Sequence, residues 1–252
     1  MGASDMKGKL SVVGFGPGSM EDMTIRAIDA IKNADVVTGY TTYVEILKEF
    51  FPEKEYKATG MMREVERCRM AVEDAMSGRS VAMVSSGDSG IYGMSGIIFQ
   101  IAEEMNADID IDIVPGITAA SSAASVLGAP LMHDTALISL SDLMTPIDLI
   151  MKRVECAGEG DMVVVFYNPK SKKRTDYLSR AVEILSRYRS RDTPIGVVRN
   201  IGRKDERATL TTIGGLNDSD IDMFCTVVVG NSQTYVSGDR MITPRGYNIE
   251  GV

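Results

Sequence analysis

Three short apolar segments in the first half of the sequence each end in a glycine-containing turn, and this repeated pattern constrains the fold more than any other feature. The apolar segments are residues 10–13, 81–84 and 109–114, and the turns are residues 14–18, 85–90 and 115–116. A short apolar run that stops at glycines is typical of a buried strand in a parallel sheet. Helix-period segments lie between the runs, so we predict a parallel sheet with helices on both faces.

The alternation restarts after Gly128-Ala129-Pro130, which predicts a second domain. Five further apolar runs follow, at residues 136–140, 162–166, 195–198, 208–213 and 224–229. Two of them are closely spaced late in the chain, which favours a mixed sheet. We therefore predict an α/β fold with two α/β domains, residues 1–128 and 129–252, and an interdomain cleft. The first sheet is expected to be parallel and the second mixed.

Composition excludes several classes of function. The net charge of −8 would repel nucleic acid and anionic lipid, so neither is expected as a partner. No apolar run reaches 18 residues, and residues 1–9 are polar, so we expect no transmembrane segment and no signal peptide. The three cysteines are far apart and His133 is the only histidine. This pattern predicts a cytoplasmic protein without a metal site.

The first two turns resemble nucleotide-binding loops but lack the required residues. Pro17 interrupts the G-x-G-x-x-G spacing of a dinucleotide fingerprint and removes a backbone donor. No lysine follows the glycines of residues 85–90, so a phosphate-binding loop is disfavoured. Turns that serve only the chain's own packing are one interpretation. The other is a ligand site at the carboxyl ends of the strands, where backbone carbonyls and Asp88 would suit a ligand with hydroxyls and positive charge.

Polar residues are dense just after the predicted boundary. They form the pair His133-Asp134 and the segment from Ser139 to Pro146. Helix capping is the simpler interpretation, with Thr145 as the cap. The alternative is that the segment lines a substrate cavity.

A basic run interrupts the acidic chain at residues 170–174. Most such runs are solvated surface, but this one could receive a polyanionic substrate through Lys172, Lys173 and Arg174. Arginines further along the chain could add bidentate contacts to carboxylates, namely Arg199, Arg203 and Arg245.

Taken together, the segments resemble the tetrapyrrole methylase family from Leu10 to about Tyr247. The three glycine turns recur in this order in that family. Several later segments resemble the C17-methyltransferases that act on precorrin-3B or cobalt-factor III: residues 133–146, 166–171, 199–203, 229–235 and 243–247. This resemblance implies a homodimeric enzyme of cobalamin biosynthesis that uses S-adenosylmethionine to methylate C17 of a tetrapyrrole, with contraction of the ring. Ring contraction needs proton movement, and the residues to be tested for a catalytic role in it are His133, Asp134, Ser141, Asp142 and Thr145.

The resemblance also implies which residues contact the methyl donor. In the first domain they are Pro17, Gly87, Asp88, Ile91, Thr118 and Ala119, and in the second domain Asn168 and Ile201. Two alternatives remain open at this point. The chain could methylate a different ring carbon of the same pathway, or it could bind a tetrapyrrole without catalysis.

Overall fold

The computed structural model describes residues 7–248, and the chain divides after Thr118 into two compact units. Residues 1–6, which belong to the segment considered for a signal peptide, lie outside the described part. Within residues 7–248, no helix is long and apolar enough to cross a membrane.

The first unit contains a five-stranded sheet in which every pairing is parallel, as predicted. The strand order is β3-β2-β4-β1-β5. The strands are β1 (Lys9–Gly14), β2 (Val36–Tyr40), β3 (Glu55–Thr59), β4 (Ser80–Ser85) and β5 (Asp110–Val114), and the helices are α1 (Ile25–Asn33), α2 (Thr41–Phe50), α3 (Glu64–Met76) and α4 (Ser95–Glu104).

Helices cover both faces of this sheet. Helices α3 and α4 pack on one face around Leu10 and Met83, and α1 and α2 pack on the other around Val13 and Val84. Because β1 and β4 are covered on both sides, they are buried almost throughout, which accounts for their continuous apolar sequence. Strand β3 is a polar edge strand and was not predicted.

The second unit contains a five-stranded mixed sheet, as predicted, with the order β10-β9-β11-β8-β7. Strands β7 and β8 pair in parallel, whereas β8, β11, β9 and β10 pair antiparallel in turn. The elements of this unit are α5 (Ala119–Leu127), β6 (Gly128–Ala129), β7 (Thr135–Ser139), α6 (Ile147–Glu159), β8 (Val163–Tyr167), α7 (Tyr177–Leu185), β9 (Pro194–Arg199), β10 (Arg207–Thr212), a 3₁₀ turn (Ile213–Gly215), β11 (Cys225–Val229), β12 (Tyr235–Ser237) and β13 (Arg240–Ile242).

Helix α5 belongs with the second unit, so the division lies upstream of the predicted boundary at Gly128. Leu127 packs against β9, where Gly196 leaves the space: a Cβ on Gly196 would lie 2.4 Å from Leu127 Cδ1. Gly128 and Ala129 resemble a linker in the sequence, but they form β6, which pairs with β13 in a small three-stranded sheet.

Candidate active site

The three glycine turns of the first unit meet at one edge of its sheet. Strand β1 lies between β4 and β5, and parallel strands bring their carboxyl ends to the same edge. The amide of Phe15 donates a hydrogen bond to the Ser85 carbonyl at 3.0 Å, and the amide of Gly16 donates to the Gly87 carbonyl at 3.0 Å. The turns after β1 and β4 are thus joined through their backbones.

Close backbone packing explains why glycines occupy these turns. A Cβ on Gly116 would lie 2.2 Å from the Gly87 carbonyl oxygen, and a Cβ on Gly16 would lie 2.3 Å from the Gly87 Cα. A Cβ on Gly14 would lie 2.7 Å from the same carbonyl oxygen. Gly87 itself has a φ of 67°, in the left-handed region that favours glycine. The glycines therefore serve the packing of the turns against one another.

Asp88 joins the second turn to the third. Its Oδ1 accepts a hydrogen bond from the Gly90 amide at 2.8 Å, and its Oδ2 accepts one from the Gly116 amide at 3.0 Å. The next residue, Ser89, is fully buried, and its hydroxyl donates to the Val12 carbonyl at 3.2 Å. Both carboxylate oxygens of Asp88 thus hold the backbone of the turns.

The predicted donor contacts of the first unit lie on or directly after these turns. Pro17 is in the first turn, Gly87 and Asp88 are in the second, and Ile91 follows the second. Thr118 follows the third turn. Ala119 begins α5, in the second unit. The structure therefore brings together the first-unit part of the set that the sequence predicts.

The second unit also gathers polar residues at the carboxyl ends of its strands. Strands β7, β8 and β9 run in the same direction, so the residues that follow them share one edge. Asn168 and Asn200 follow β8 and β9 with φ values of 50° and 52°, a conformation that asparagine tolerates better than most residues. Asn168 Nδ2 donates to Ser139 Oγ at 3.1 Å. Ile201, the other predicted donor contact here, follows Asn200 and packs on the core under α5.

A hydrogen-bonded network lies beyond β7 at the same edge. Arg174 Nη1 donates to Ser141 Oγ at 2.6 Å and lies 3.5 Å from Asp142 Oδ1. The Tyr177 hydroxyl donates to Asp142 Oδ2 at 2.8 Å. This hydrogen bond, supported by the charge of Arg174, holds the pKa of Asp142 below its usual value. The same bond raises the pKa of Tyr177, because it stabilises the protonated phenol.

The structure separates the five predicted catalytic residues into two groups. Ser141, Asp142 and Thr145 follow the carboxyl end of β7, whereas His133 and Asp134 precede its first residue. Five extended residues span about 16 Å. The five candidates therefore do not form one cluster, because His133 and Asp134 lie at the opposite edge of the sheet from the other three.

His133 and Asp134 have local partners instead. His133 Nδ1 accepts a hydrogen bond from the Asp134 amide at 2.9 Å, and the Asp134 carbonyl accepts one from the Val163 amide at 2.9 Å. The capping interpretation of Thr145 also fails, because α6 begins at Ile147 after Pro146 and has no side-chain cap. Thr145 is half-buried and follows Asp142 closely in the sequence. It therefore stays a candidate residue on the substrate side.

The predicted basic patch is likewise divided. Lys172 and Lys173 are exposed. Arg174 is only 15% exposed and points into the Ser141 network. Arg245 is exposed and lies near His133, since its Nη1 donates to the Met132 carbonyl at 3.4 Å. The sequence identified the basic residues, but it could not show that Arg174 forms a hydrogen bond within the protein, to Ser141.

Of the remaining predicted arginines, Arg199 lines a pocket of about 490 Å³ at the carboxyl end of β9. Arg199 Nη2 lies 2.7 Å from Asp222 Oδ2, and Arg203 lies in the turn after β9. The pocket holds two guanidinium groups, from Arg199 and Arg207, and three carboxylates, so its lining has no excess positive charge for an anion. Among residues 7–248, no group of three or more His, Cys, Asp or Glu side chains is placed to hold a metal ion.

Two residues at these edges have no recognisable signal in the sequence. Tyr177 contacts Asp142 from 35 residues away, and Tyr167 accepts a hydrogen bond from the Ala120 amide at the start of α5, at 3.0 Å. Both tyrosines occupy positions that helix or strand periodicity explains by itself. Only the three-dimensional arrangement reveals their polar contacts.

Comparison with known proteins places this arrangement among methyltransferases. The family described as Tetrapyrrole (Corrin/Porphyrin) Methylases matches residues 9–217. A protein of Salmonella typhimurium described as a probable cobalt-factor III C(17)-methyltransferase is 49% identical over 240 residues, which cover 95% of this chain and 100% of that protein.

Solved structures give the same result. The crystal structure of the methyltransferase CobJ matches with a TM-score of 0.88 and 34% identity, covering 94% of this chain and 100% of that chain. A uroporphyrin-III C-methyl transferase from Thermus thermophilus, complexed with S-adenyl homocysteine, matches with a TM-score of 0.66 and 20% identity, over 88% of this chain and 97% of that chain. This second likeness concerns the fold alone.

Proposed function

This chain belongs to the tetrapyrrole (corrin/porphyrin) methylases, and we propose that it methylates C17 of a tetrapyrrole of the cobalt-factor III or precorrin-3B type. The methyl donor is S-adenosylmethionine, the macrocycle contracts, and the product serves cobalamin biosynthesis. The observation that carries this proposal is the 49% identity to the Salmonella typhimurium protein along its whole length.

The edge of the first sheet suits the methyl donor. Its turns bring small residues together at the carboxyl ends of three parallel strands, which is where ligands of open α/β sheets bind. No lysine is placed in these turns to hold a phosphate. Pro17, Gly87, Asp88, Ile91 and Thr118 are the proposed contacts of the first unit. Ala119, Asn168 and Ile201 are the proposed contacts of the second unit, and all eight assignments rest on the family resemblance.

Methyl transfer from this donor requires the protein mainly to position the methyl group and the acceptor carbon. The donor's sulfonium makes its methyl group electrophilic: the ring carbon forms a bond to the methyl as the methyl–sulfur bond breaks, and sulfur keeps the electron pair. The task of the rigid turns is to hold the donor in line with the acceptor carbon. Orientation of this kind can lower the activation free energy by about 7–11 kcal/mol.

The Asp142 network is the proposed substrate side. Ring contraction requires proton movement, and Asp142 and Ser141 present a carboxylate and a hydroxyl held by Tyr177 and Arg174. Arg174 and Tyr177 act here as positioning residues. The network lowers the pKa of Asp142, which favours the ionised carboxylate but makes it a weaker base. Its proposed role is therefore to hold positive charge or N–H and O–H donors of the substrate in place.

Lys172 and Lys173 are the proposed surface contacts to the substrate's carboxylate arms. Replacing both with Ser should weaken tetrapyrrole binding at low salt, and the effect should shrink as salt screens exposed charges over roughly 8–10 Å. The matched change Arg174→Ser should instead impair turnover at any salt concentration, because it removes the partner of Ser141. Equal tetrapyrrole binding by the double variant and the wild type at low salt would show that the two lysines do not contact the substrate.

We further propose a homodimer in the cytoplasm. The family resemblance supports the dimer, and the three cysteines, all free, are consistent with a reducing compartment. Light scattering of the purified full chain measures the mass directly, and a monomeric mass would contradict the dimer.

The test of the proposed function is turnover by the full chain. With a cobalt-factor III substrate and S-adenosylmethionine, the protein should yield S-adenosylhomocysteine and a tetrapyrrole carrying one additional methyl group, detected by mass spectrometry. Pigment that is bound but never methylated would show a carrier instead of an enzyme.

A further inference from the structure

Arg67 places a buried guanidinium at the carboxyl edge of the first sheet, beside the end of β3. It lies in the first turns of α3, and its side chain is 5% exposed. Its Nη1 donates to Thr59 Oγ1 at 2.7 Å and to the Gly60 carbonyl at 3.3 Å. Within residues 7–248, its ion pair is with Glu64: Arg67 Nη2 lies 3.8 Å from Glu64 Oε1, and the Glu64 side chain is 40% exposed. The buried charge is thus met mainly by neutral oxygens.

This arrangement leaves donor capacity unused. A guanidinium has five N–H donors, and buried charges are normally paired or fully hydrogen-bonded. The ring of Tyr40, 5.9 Å from Arg67 Cζ, offers a cation–π contact but no hydrogen-bond acceptor of carboxylate strength. A carboxylate bound in bidentate fashion is the partner that the geometry of arginine favours.

Two buried hydroxyls without a hydrogen-bond partner lie in the same region. Within residues 7–248, Thr38 Oγ1 and Ser85 Oγ have none, and both residues are at most 5% exposed. Val84 pairs with Gly39 across β4 and β2, so Ser85 lies beside Tyr40. Ser85 also lies two residues after Met83, on the sheet face that α3 covers. Ser85 is therefore on the same face as Arg67, at the start of the second glycine turn.

We propose that Arg67 and Ser85 form a carboxylate-binding subsite of this enzyme, in which the guanidinium pairs with the carboxylate and the Ser85 hydroxyl donates to it. Space is open beside Gly60, whose carbonyl accepts from Arg67, because a Cβ on Gly60 would meet nothing within 4 Å. The inference rests on the proposed function for its ligand. That function supplies two sources of the same chemistry: the amino-acid end of the methyl donor, or an acidic arm of the tetrapyrrole.

The experiment compares Arg67→Gln with Arg69→Gln in the full chain. Arg69 is on the same helix, but it is partly exposed and pairs with Glu104 at the surface, so its variant controls for loss of charge. Calorimetry measures the affinity for S-adenosylhomocysteine and for 5′-methylthioadenosine, which lacks the carboxylate. Steady-state kinetics measures KM for the tetrapyrrole. Arg67→Lys, which keeps the charge without the planar fork, is the second variant if Arg67→Gln does not fold.

If the donor's carboxylate binds here, Arg67→Gln lowers the affinity for S-adenosylhomocysteine about ten- to hundredfold, as expected when a charged hydrogen-bond partner is lost, and leaves 5′-methylthioadenosine unchanged. If a tetrapyrrole arm binds here, KM for the tetrapyrrole rises by a similar factor and both nucleoside affinities stay constant. Arg67→Lys should show a smaller loss in the same measurement. Unchanged affinities and KM in folded Arg67 variants would overturn the subsite and reduce Arg67 to a link between β3 and α3. The proposed function fails separately, if the wild type transfers no methyl group.

Discussion

Gly116→Ala tests whether the glycine turns must pack backbone to backbone. The new Cβ would lie 2.2 Å from the Gly87 carbonyl oxygen and 2.5 Å from the Gly14 carbonyl group, so the turns must separate by about 1 Å to reach ordinary contact. Gly116 does not have a positive φ, so the penalty is steric and not conformational. Overpacking of this kind costs about 1–3 kcal/mol. Loss of the hydrogen bond from the Gly116 amide to Asp88 would add about 1.5–3 kcal/mol.

Urea denaturation followed by circular dichroism measures the cost. With a slope of about 1–3 kcal/mol per molar urea, the midpoint should fall by about 2 M at the middle of these ranges, and affinity for S-adenosylhomocysteine should fall at least tenfold. Gly96→Ala is the matched control: it lies in the first turn of α4, and its Cβ would meet nothing within 4 Å. This variant should gain about 0.4–1 kcal/mol. If Gly116→Ala behaves like Gly96→Ala, the packing argument is wrong.

Three further predictions concern single side chains. Asp88→Asn should lower the free energy of unfolding by about 1.5–3 kcal/mol. The Asp88 carboxylate accepts hydrogen bonds from two backbone amides, and the side-chain NH₂ group of asparagine would face one of these amides. Unchanged stability in urea would refute this role. The lowered pKa of Asp142 contributes stability that is lost as pH falls below about 4, and the raised pKa of Tyr177 contributes stability that is lost as pH rises above about 10. Tyr177→Phe should therefore reduce both the acid and the alkaline loss of stability, measured as the free energy of unfolding against pH. A pH dependence equal to that of the wild type would count against the hydrogen bond between Tyr177 and Asp142. Iodoacetamide should modify exposed Cys156 in the native protein and spare Cys68, because burial raises the pKa of the Cys68 thiol to about 12; mass spectrometry of the native and unfolded chain checks this order.

Sequence patterns were sufficient for the buried central strands of the two five-stranded sheets, because burial dictates composition there. Strands β1, β4 and β8 are buried on both faces, and their apolar runs gave their positions closely. The polar edge strand β3 and the short strands β12 and β13 have no such run, so the pattern missed them. Their pairing depends on neighbours that are distant in sequence.

The candidate site was predictable only where its residues follow a strand directly. The turn residues around Gly87 satisfy this condition, and the structure gathers them as expected. His133 and Asp142 are close in sequence, but β7 lies between them and carries them to opposite edges. Arg174 was identified by its charge, although its use inside the Asp142 network depends on where the chain returns after β8.

The central claim is methyl transfer to one specified ring carbon, and the position of the label in the product tests it most directly. The full chain is incubated with S-adenosylmethionine carrying carbon-13 in its methyl group and with a cobalt-factor III substrate, and NMR locates the labelled carbon. The account predicts one new methyl group at C17 of a contracted macrocycle. A label at any other ring carbon would assign the chain to a different corrin C-methyltransferase, and an unlabelled pigment would contradict the assignment as an enzyme.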